Sequence, residues 1–344
     1  MTVEQAKQKL LTWVSAQVGT REGEIKMFSG QVFVADNIKE VIPEFLMLLK
    51  GCIDCPDLPL NVSRSFLQND GYVKKMSNYI TRKVADRLVS EFNTKRADYE
   101  KYWDDIHPFV KYGCVRDEKF YERVKGSLLL TLTDGSHVTL AEYLDSAKEK
   151  HEGTVYYSTN KTAQAQYISM LEREGVKCAV LDKMIDAQFI TMLEHENENV
   201  KFKRVDSDLS DLTGEKTEGE ENERMTSLFR RVSGDEKLNV KCTTLKDETI
   251  PAVLTIDEEA RRFDDMMKMY RAAGEQLPEG MAPTLTLTLN LACPTVKSLD
   301  CEAGEREELI ARQIYMLSIL SQRGLSGEEL ERFLSDSYEM LKRI

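Results

Sequence analysis

The chain has 344 residues, 41% of them hydrophobic and 31% charged, which is long enough to bury the cores of roughly two or three domains. Its net charge of -12 argues against nucleic acid as the main partner, because phosphate binding needs a basic face. No apolar run is long enough to span a membrane, and the polar first residues do not resemble a secretory signal. We therefore expect a cytoplasmic protein without a membrane partner.

Two of the seven cysteines, Cys52 and Cys55, have the spacing of redox and metal-binding pairs. The odd, scattered set of cysteines argues against a disulfide framework. Asp54 lies between the two thiols, and an anionic neighbour disfavours the thiolate that redox chemistry needs. No second cysteine pair and no paired histidines complete a zinc site. We therefore expect no metal site, and a thiol redox enzyme that uses Cys52 and Cys55 is an alternative hypothesis.

The first part of the chain predicts a short β-hairpin followed by helices. Residues 24–36 are typical of two strands, and residues 38–50 have apolar positions at helical spacing that end at Gly51. From Val73 apolar residues recur every four positions, and the helical character continues to about residue 112. This helix also carries a basic run that is typical of a solvated surface, namely Lys74, Lys75, Arg82, Lys83 and Arg87.

Strands and helices alternate in the middle of the chain. A capping-box pattern at Thr139 and Glu142 predicts a helix that ends near Lys150. The elements predicted after it are strands at 154–158, 176–181 and 200–205, and helices at 163–175 and 185–196. This alternation predicts a parallel sheet in a small α/β unit. The turn after its first strand contains no glycine, so we expect no dinucleotide site.

An acidic stretch at 206–223, almost free of large apolar residues, separates this unit from the last part of the chain. The elements predicted beyond it are strands at 239–245, 251–256 and 284–290, and helices at 257–273, 305–322 and 327–342. The helix at 257–273 has a methionine-rich stripe that consists of Phe263, Met266, Met267 and Tyr270. The pattern alone favours a core position, although such stripes also form surfaces that bind many apolar partners.

The last two helices carry more apolar surface than they can bury between themselves and one sheet face. The first is apolar around most of its circumference, and the second has a single stripe. A second copy of the chain would cover this surface in a four-helix seam, so we expect a homodimer. The predicted interface residues are Ile314, Leu317, Leu320, Leu330, Phe333, Leu334 and Tyr338.

Arg64 lies in a loop of small polar residues just before a helical stretch. A loop of this kind can direct a guanidinium group toward an anion. The pattern alone favours a simpler interpretation, in which Arg64 pairs with Asp57 or Asp70 on the surface.

The run DLPLNVSRSFLQ at 57–68 closely resembles the catalytic loop in the middle domain of the heat-shock protein 90 chaperones, whose bacterial branch is called HtpG. The resemblance continues upstream in QVFVADNIKEVIPEFLMLLKG at 31–51. It extends downstream through TLAEYL and GTVYYSTN to TLTLNLACPTVKSL and the two helices after it. It covers about residues 23–344 and leaves residues 1–22 as an unmatched leader.

The resemblance implies a multidomain protein of α/β and α+β class. An incomplete αβα middle domain with a helical segment and the arginine loop would occupy 23–112, and a small α/β middle subdomain would occupy 113–210. An acidic linker at 211–223 would lead to an α+β dimerisation domain at 224–344, which ends in a helix pair.

The resemblance also implies an ATP-dependent chaperone that assists folding under stress and binds unfolded or partly folded client proteins. Relatives hold ATP and magnesium in a separate N-terminal domain. Arg64 matches the arginine that reaches the γ-phosphate, and Asn61 and Gln68 match its polar companions. The methionine-rich stripe resembles the segment that touches clients.

The chain departs from the family pattern in two respects. It has Ser65 where the family usually has glutamate, and we find none of the glycine motifs of the nucleotide site. We therefore expect no autonomous ATPase activity and no nucleotide bound by this chain alone. A truncated dimerising scaffold without chaperone activity is a second alternative.

Overall fold

The computed structural model describes residues 25–36, 41–46, 49–56, 70–148, 151–207, 222–245, 247–256, 285–299, 304–322 and 324–342. Helices and several small sheets alternate in these ranges, so the predicted mixed α/β and α+β class is confirmed. The chain forms two compact units. The first extends to Leu129 and includes Thr139–Ala141 and Lys183–Glu196, and the second contains the remainder. The predicted domain boundaries stay a prediction.

The first unit contains a three-stranded sheet made of β1 (Ile25–Ser29), β2 (Val32–Asp36) and β3 (Gly51–Asp54). The central strand β1 is antiparallel to β2 and parallel to β3. Gly30 and Gln31 connect β1 to β2 with φ of 57° and 67°, the left-handed pair that a tight hairpin turn requires. The two strands predicted around Ser29-Gly30 are confirmed.

Three helices follow the sheet in the first unit: α1 (Asp70–Thr94), α2 (Arg96–Arg116) and α3 (Glu118–Val124). The predicted helical character of this region is confirmed, but the helix breaks at Lys95, where φ is -144°. Asp117 starts α3, because its side chain accepts a hydrogen bond from the Phe120 backbone N–H at 3.0 Å. Helix α6 (Met184–Glu196) belongs to the same unit and packs on α2.

The helix predicted at 38–50 is wrong in the described part of that segment. Only Glu44–Leu46 form a turn of 3-10 helix there, and strand β3 begins at Gly51. Phe45 is buried against the ring of Phe120, with ring centroids 4.9 Å apart. Gly113 makes this approach possible, because a Cβ at that position would lie 2.6 Å from the Phe45 ring.

The second unit contains the predicted parallel sheet. Its strands are β6 (Thr154–Ser158), β7 (Cys178–Val180) and β8 (Lys201–Arg204), in the order β7-β6-β8. All pairings are parallel, and α5 (Ala165–Arg173) connects β6 to β7. A hairpin of β4 (Leu129–Thr131) and β5 (His137–Thr139) leads to α4 (Leu140–Ala147), where the capping-box pattern predicted a helix. These strand and helix predictions are confirmed.

The last part of the second unit is a three-stranded sheet covered by helices. Its elements are α7 (Glu223–Ser233), β9 (Asn239–Thr243), β10 (Ala252–Ile256), β11 (Leu285–Asn290), α8 (Pro294–Ser298), α9 (Glu305–Gln322) and α10 (Gly327–Lys342). Strand β11 lies between β10, to which it is antiparallel, and β9, to which it is parallel. Leu287 and Leu289 are fully buried. Ser326 and Glu329 form a capping box at the start of α10.

The two sheets of the second unit share part of their core. Val205, which follows β8, packs in one cluster with Leu245 and Val253. The Tyr167 hydroxyl on α5 donates a hydrogen bond to the Leu254 carbonyl of β10 at 2.7 Å. The small α/β unit and the C-terminal strands are therefore joined by direct packing. No helix in the described ranges is long and apolar enough to cross a membrane.

Candidate functional site

The predicted arginine loop, with Asn61, Arg64 and Gln68, lies outside the described residues, but both its ends are described. It follows β3 and returns where α1 begins. The Cys55 backbone N–H donates to the Phe28 carbonyl of β1 at 2.9 Å, and Cys55 Sγ lies 2.9 Å from the Tyr72 hydroxyl of α1. Cys55, just before the loop, therefore contacts both strand β1 and Tyr72, which lies just after the loop.

The described cysteines differ in their surroundings. Cys52 is exposed on β3, whereas Cys55 is half-buried and in contact with Tyr72. Burial raises the pKa of Cys178 to about 12, and it raises the pKa of Cys114 as well, so both thiols stay protonated at neutral pH. In the part of the chain that the structure describes, no three His, Cys, Asp or Glu residues are placed to hold a metal.

A buried polar network fills the carboxyl end of the parallel sheet. Arg204 makes a two-pronged contact with Asp206, at 2.7 and 2.8 Å. The Gln164 side-chain amide donates to Asp206 at 2.8 Å and accepts from the Ser158 hydroxyl at 2.8 Å. Ligands of α/β folds usually bind at this end of the sheet, and here side chains of the chain itself occupy it. These residues could not be identified from the sequence, because they lie in three separate segments of the chain.

The predicted client-binding residues Phe263, Met266, Met267 and Tyr270 also lie outside the described residues. The strands on either side of their segment are described. Ile256 ends β10 and pairs directly with Leu285, which begins β11. The segment between them therefore leaves and returns at one end of the C-terminal sheet.

The predicted dimer residues divide into two groups. Ile314 is buried in the core of its own unit, and Phe333 packs half-buried against that core. The other five are exposed to between 42% and 62%, namely Leu317, Leu320, Leu330, Leu334 and Tyr338. Leu341 extends the same stripe at 66% exposure. We call these six exposed residues the apolar face of α9 and α10.

Helix α10 contributes four of the six exposed residues of the apolar face. None of the side chains of α10 is buried. The exposed leucines recur at positions 330, 334 and 341, on one side of the helix. Contiguous exposed apolar patches on proteins commonly mark interaction sites. The outer side of this helix pair therefore has the apolar character that is typical of an interaction surface.

Helix α1 presents a second surface of a different kind. Lys74, Lys75, Arg82 and Lys83 are exposed, as predicted for a solvated face. The Arg82 guanidinium lies 5.3 Å and the Lys83 ammonium 5.6 Å from the centroid of the exposed Tyr79 ring. These cation–π contacts hold the two basic groups over the ring.

Comparison with known proteins assigns the chain to a family. The family model described as Hsp90 protein matches residues 7–343, including most of the leader that the resemblance left unmatched. The chain belongs to the Hsp90 family.

Three of its curated relatives carry the name chaperone protein HtpG. The chain is 35% identical over 327 residues to the protein of Bacteroides thetaiotaomicron, covering 90% of this chain and 48% of the relative. It is 36% identical over 304 residues to that of Porphyromonas gingivalis, covering 84% and 44%. It is 29% identical over 321 residues to that of Shewanella amazonensis, covering 88% and 50%. The chain thus spans about half the length of the curated relatives that it matches.

Proposed function

We propose that this chain is the client-binding and dimerising portion of an HtpG-type chaperone that assists protein folding under stress. The observation that carries the proposal is the apolar face of α9 and α10. It lies in the region that resembles the family's dimerisation domain, and a second copy of the chain would cover it with an identical face. Two helices from each copy would then form a four-helix seam.

The arginine loop has a separate role in the proposal. Arg64 would reach a nucleotide that another domain holds together with magnesium, while Asn61 and Gln68 would orient the loop. An arginine is suited to this task because its charge is permanent and its planar fork matches phosphate oxygens. The contacts of Cys55 with Phe28 and Tyr72 support the role, because they fix both ends of the loop.

The proposal predicts that this chain alone does not bind ATP. Arg64 supplies a phosphate contact, but the buried Arg204–Asp206 network already fills the end of the parallel sheet where nucleotides bind in other α/β folds. Isothermal titration with ATP and magnesium is therefore expected to show no stoichiometric heat. Tight one-to-one binding would contradict the assignment of Arg64 to a nucleotide held elsewhere.

The methionine-rich stripe is proposed to bind clients. Met266→Ser together with Met267→Ser is expected to reduce suppression of aggregation of an unfolded model protein several-fold, because two thioether side chains leave the contact surface. Light scattering during the aggregation of the model protein measures this effect.

The matched control is Arg261→Ser together with Lys268→Ser, which changes the polar side of the same predicted helix. The control is expected to suppress aggregation as well as the unchanged chain does. Equal suppression by the methionine variant would reject the client assignment and favour a dimerising scaffold.

A further inference from the structure

Helix α10 is held on α9 mainly by half-buried and polar contacts. Phe333 packs half-buried on the core of its own unit, while the exposed residues of the apolar face point away from it. A helix seated this way can roll about its axis unless directional contacts prevent it, because few side chains interlock with its neighbour. The polar contacts between the two helices therefore decide which residues of α10 face outward.

Two neighbouring residues of α9 supply the polar contacts, Arg312 through an ion pair and Gln313 through directional hydrogen bonds. Arg312 Nε lies 3.1 Å from Asp336 Oδ2, and both atoms are shielded from solvent, but neither makes a hydrogen bond with a described residue. Gln313, which is only 8% exposed, donates from its side-chain amide to the Phe333 carbonyl at 3.2 Å. The Ser337 hydroxyl lies 3.3 Å from Gln313 Oε1 and 2.7 Å from the same carbonyl.

The positions of these contacts relate them to the apolar face. Gln313 precedes Leu317 by one helical turn, and Ser337 is adjacent to Tyr338 in sequence. The polar contacts thus run along the edge of the surface that the proposed dimer would bury. Buried polar groups in helical seams are the devices that fix register and pairing, since a shifted arrangement leaves them unsatisfied.

We infer that the Arg312–Asp336 pair and the Gln313–Ser337 contact form a polar lock, which sets the rotation of α10 about its own axis. This rotation aligns the exposed residues of α10 with those of α9, so that the two helices present one dimer surface. The inference rests on the proposed dimerisation. These four are positioning residues. Without them, α10 can roll and bury its leucines against its own α9, which competes with the second copy.

The test is a charge swap in the whole chain. Arg312→Asp and Asp336→Arg each place like charges together, so each is expected to raise the dimer Kd by at least about tenfold in sedimentation equilibrium. The double variant with both changes restores opposite charges and is expected to return the Kd to within about threefold of the unchanged chain. Rescue by the swap separates positioning by charge from simple loss of packing.

Two further variants keep the test decisive. Glu339→Lys makes a comparable change in charge on the exposed side of α10, beside Lys342, and is expected to leave the Kd unchanged. Gln313→Leu with Ser337→Ala removes the hydrogen bonds of Gln313 to α10 while keeping apolar bulk, so it is expected to weaken the dimer while circular dichroism shows that the chain stays folded. This second variant is informative even if the single charge variants fail to fold.

Three outcomes can be distinguished. A dimeric unchanged chain whose lock variants all dimerise equally well would overturn the lock and leave the proposed function intact. A monomeric unchanged chain would overturn the proposed dimerisation and the lock with it. A higher dimer Kd for each single charge variant, together with a restored Kd for the double variant, supports the lock.

Discussion

Leu334→Asp is expected to leave the chain monomeric at micromolar concentration. Leu334 lies in the middle of the apolar face, between Leu330 and Tyr338, and is 42% exposed. A two-fold dimer contains each substitution twice, so the seam would lose two leucines and gain two carboxylates. Each lost leucine costs up to about 1.5–3 kcal/mol, and each buried unpaired charge costs several more. Sedimentation equilibrium is expected to show at least about a 100-fold higher Kd.

The matched control is Ser335→Asp, which places the same charge one residue further along α10. Ser335 is exposed and lies about 100° around the helix from Leu334, outside the apolar stripe. Its effect on the Kd is expected to stay within about twofold, as is usual for surface changes. A Leu334→Asp chain that sediments as a dimer would show that the apolar face is not the seam.

Much of the second unit could be predicted from the sequence, because its elements are strongly periodic. The strand TVYYS is bounded by turn residues, and the alternation in Leu285–Asn290 can only place its leucines on one face. Helix α9 ends just before Gly324, whose φ is 82°, and α10 begins just after its cap residue Ser326. Local chemistry and tertiary packing agree at these positions, so the pattern was sufficient.

The first unit shows where pattern reasoning fails. Residues 38–50 have helical spacing, but Phe45 is drawn into a contact with Phe120, which lies far away in sequence. Strand β3 at Gly51–Asp54 has few β-branched residues and exists because it pairs with β1. Such long-range pairings override local propensity and leave no local signal.

Helix α7 was missed for another reason. Met225, Leu228, Phe229 and Val232 have a clear helical period and are all buried, but they directly follow the acidic stretch. The acidic linker was predicted to end at 223, where the helix begins, and no helix was predicted directly after it. The signal was present and was masked by its acidic neighbours.

The candidate sites divide in the same way. The exposed leucines of α9 and α10 could be predicted from their stripes, because both helices carry more apolar positions than one core contact can cover. Ile314 carries the same kind of side chain but is buried in its own core, and only the packing of the sheet beneath α9 distinguishes it from Leu317. Periodicity identifies an apolar position, and only tertiary structure shows what covers it.

Asp186→Ala is expected to be among the most destabilising single changes in the first unit. Lys111 on α2 and Asp186 on α6 form an ion pair at 2.5 Å, and the two side chains are 3% and 2% exposed. Asp186 also accepts a hydrogen bond from the Lys183 backbone N–H at 2.9 Å, near the start of α6. Removing the carboxylate leaves a buried ammonium without its partner, which typically costs about 3–5 kcal/mol of unfolding free energy.

Urea unfolding in a Trp13→Phe background, followed by the fluorescence of the remaining Trp103, measures this cost, because Trp103 is buried on α2 in the same unit. The control is Glu122→Ala, which breaks the exposed ion pair with Lys125 and is expected to cost less than about 1 kcal/mol. A similar small cost for Asp186→Ala would mean that water reaches Lys111 freely.

A double-mutant cycle separates the ion pair from the packing around it. Lys111→Met keeps the bulk of the side chain over the Phe189 ring, which the ammonium approaches to 5.4 Å. Combining Lys111→Met with Asp186→Leu removes both charges, so neither is left buried alone. The double variant is expected to be more stable than Asp186→Leu alone, because the desolvation penalty disappears together with the attraction. A double variant that loses the sum of the single costs would show that the two residues act independently, and that the join between α2 and α6 depends on packing alone.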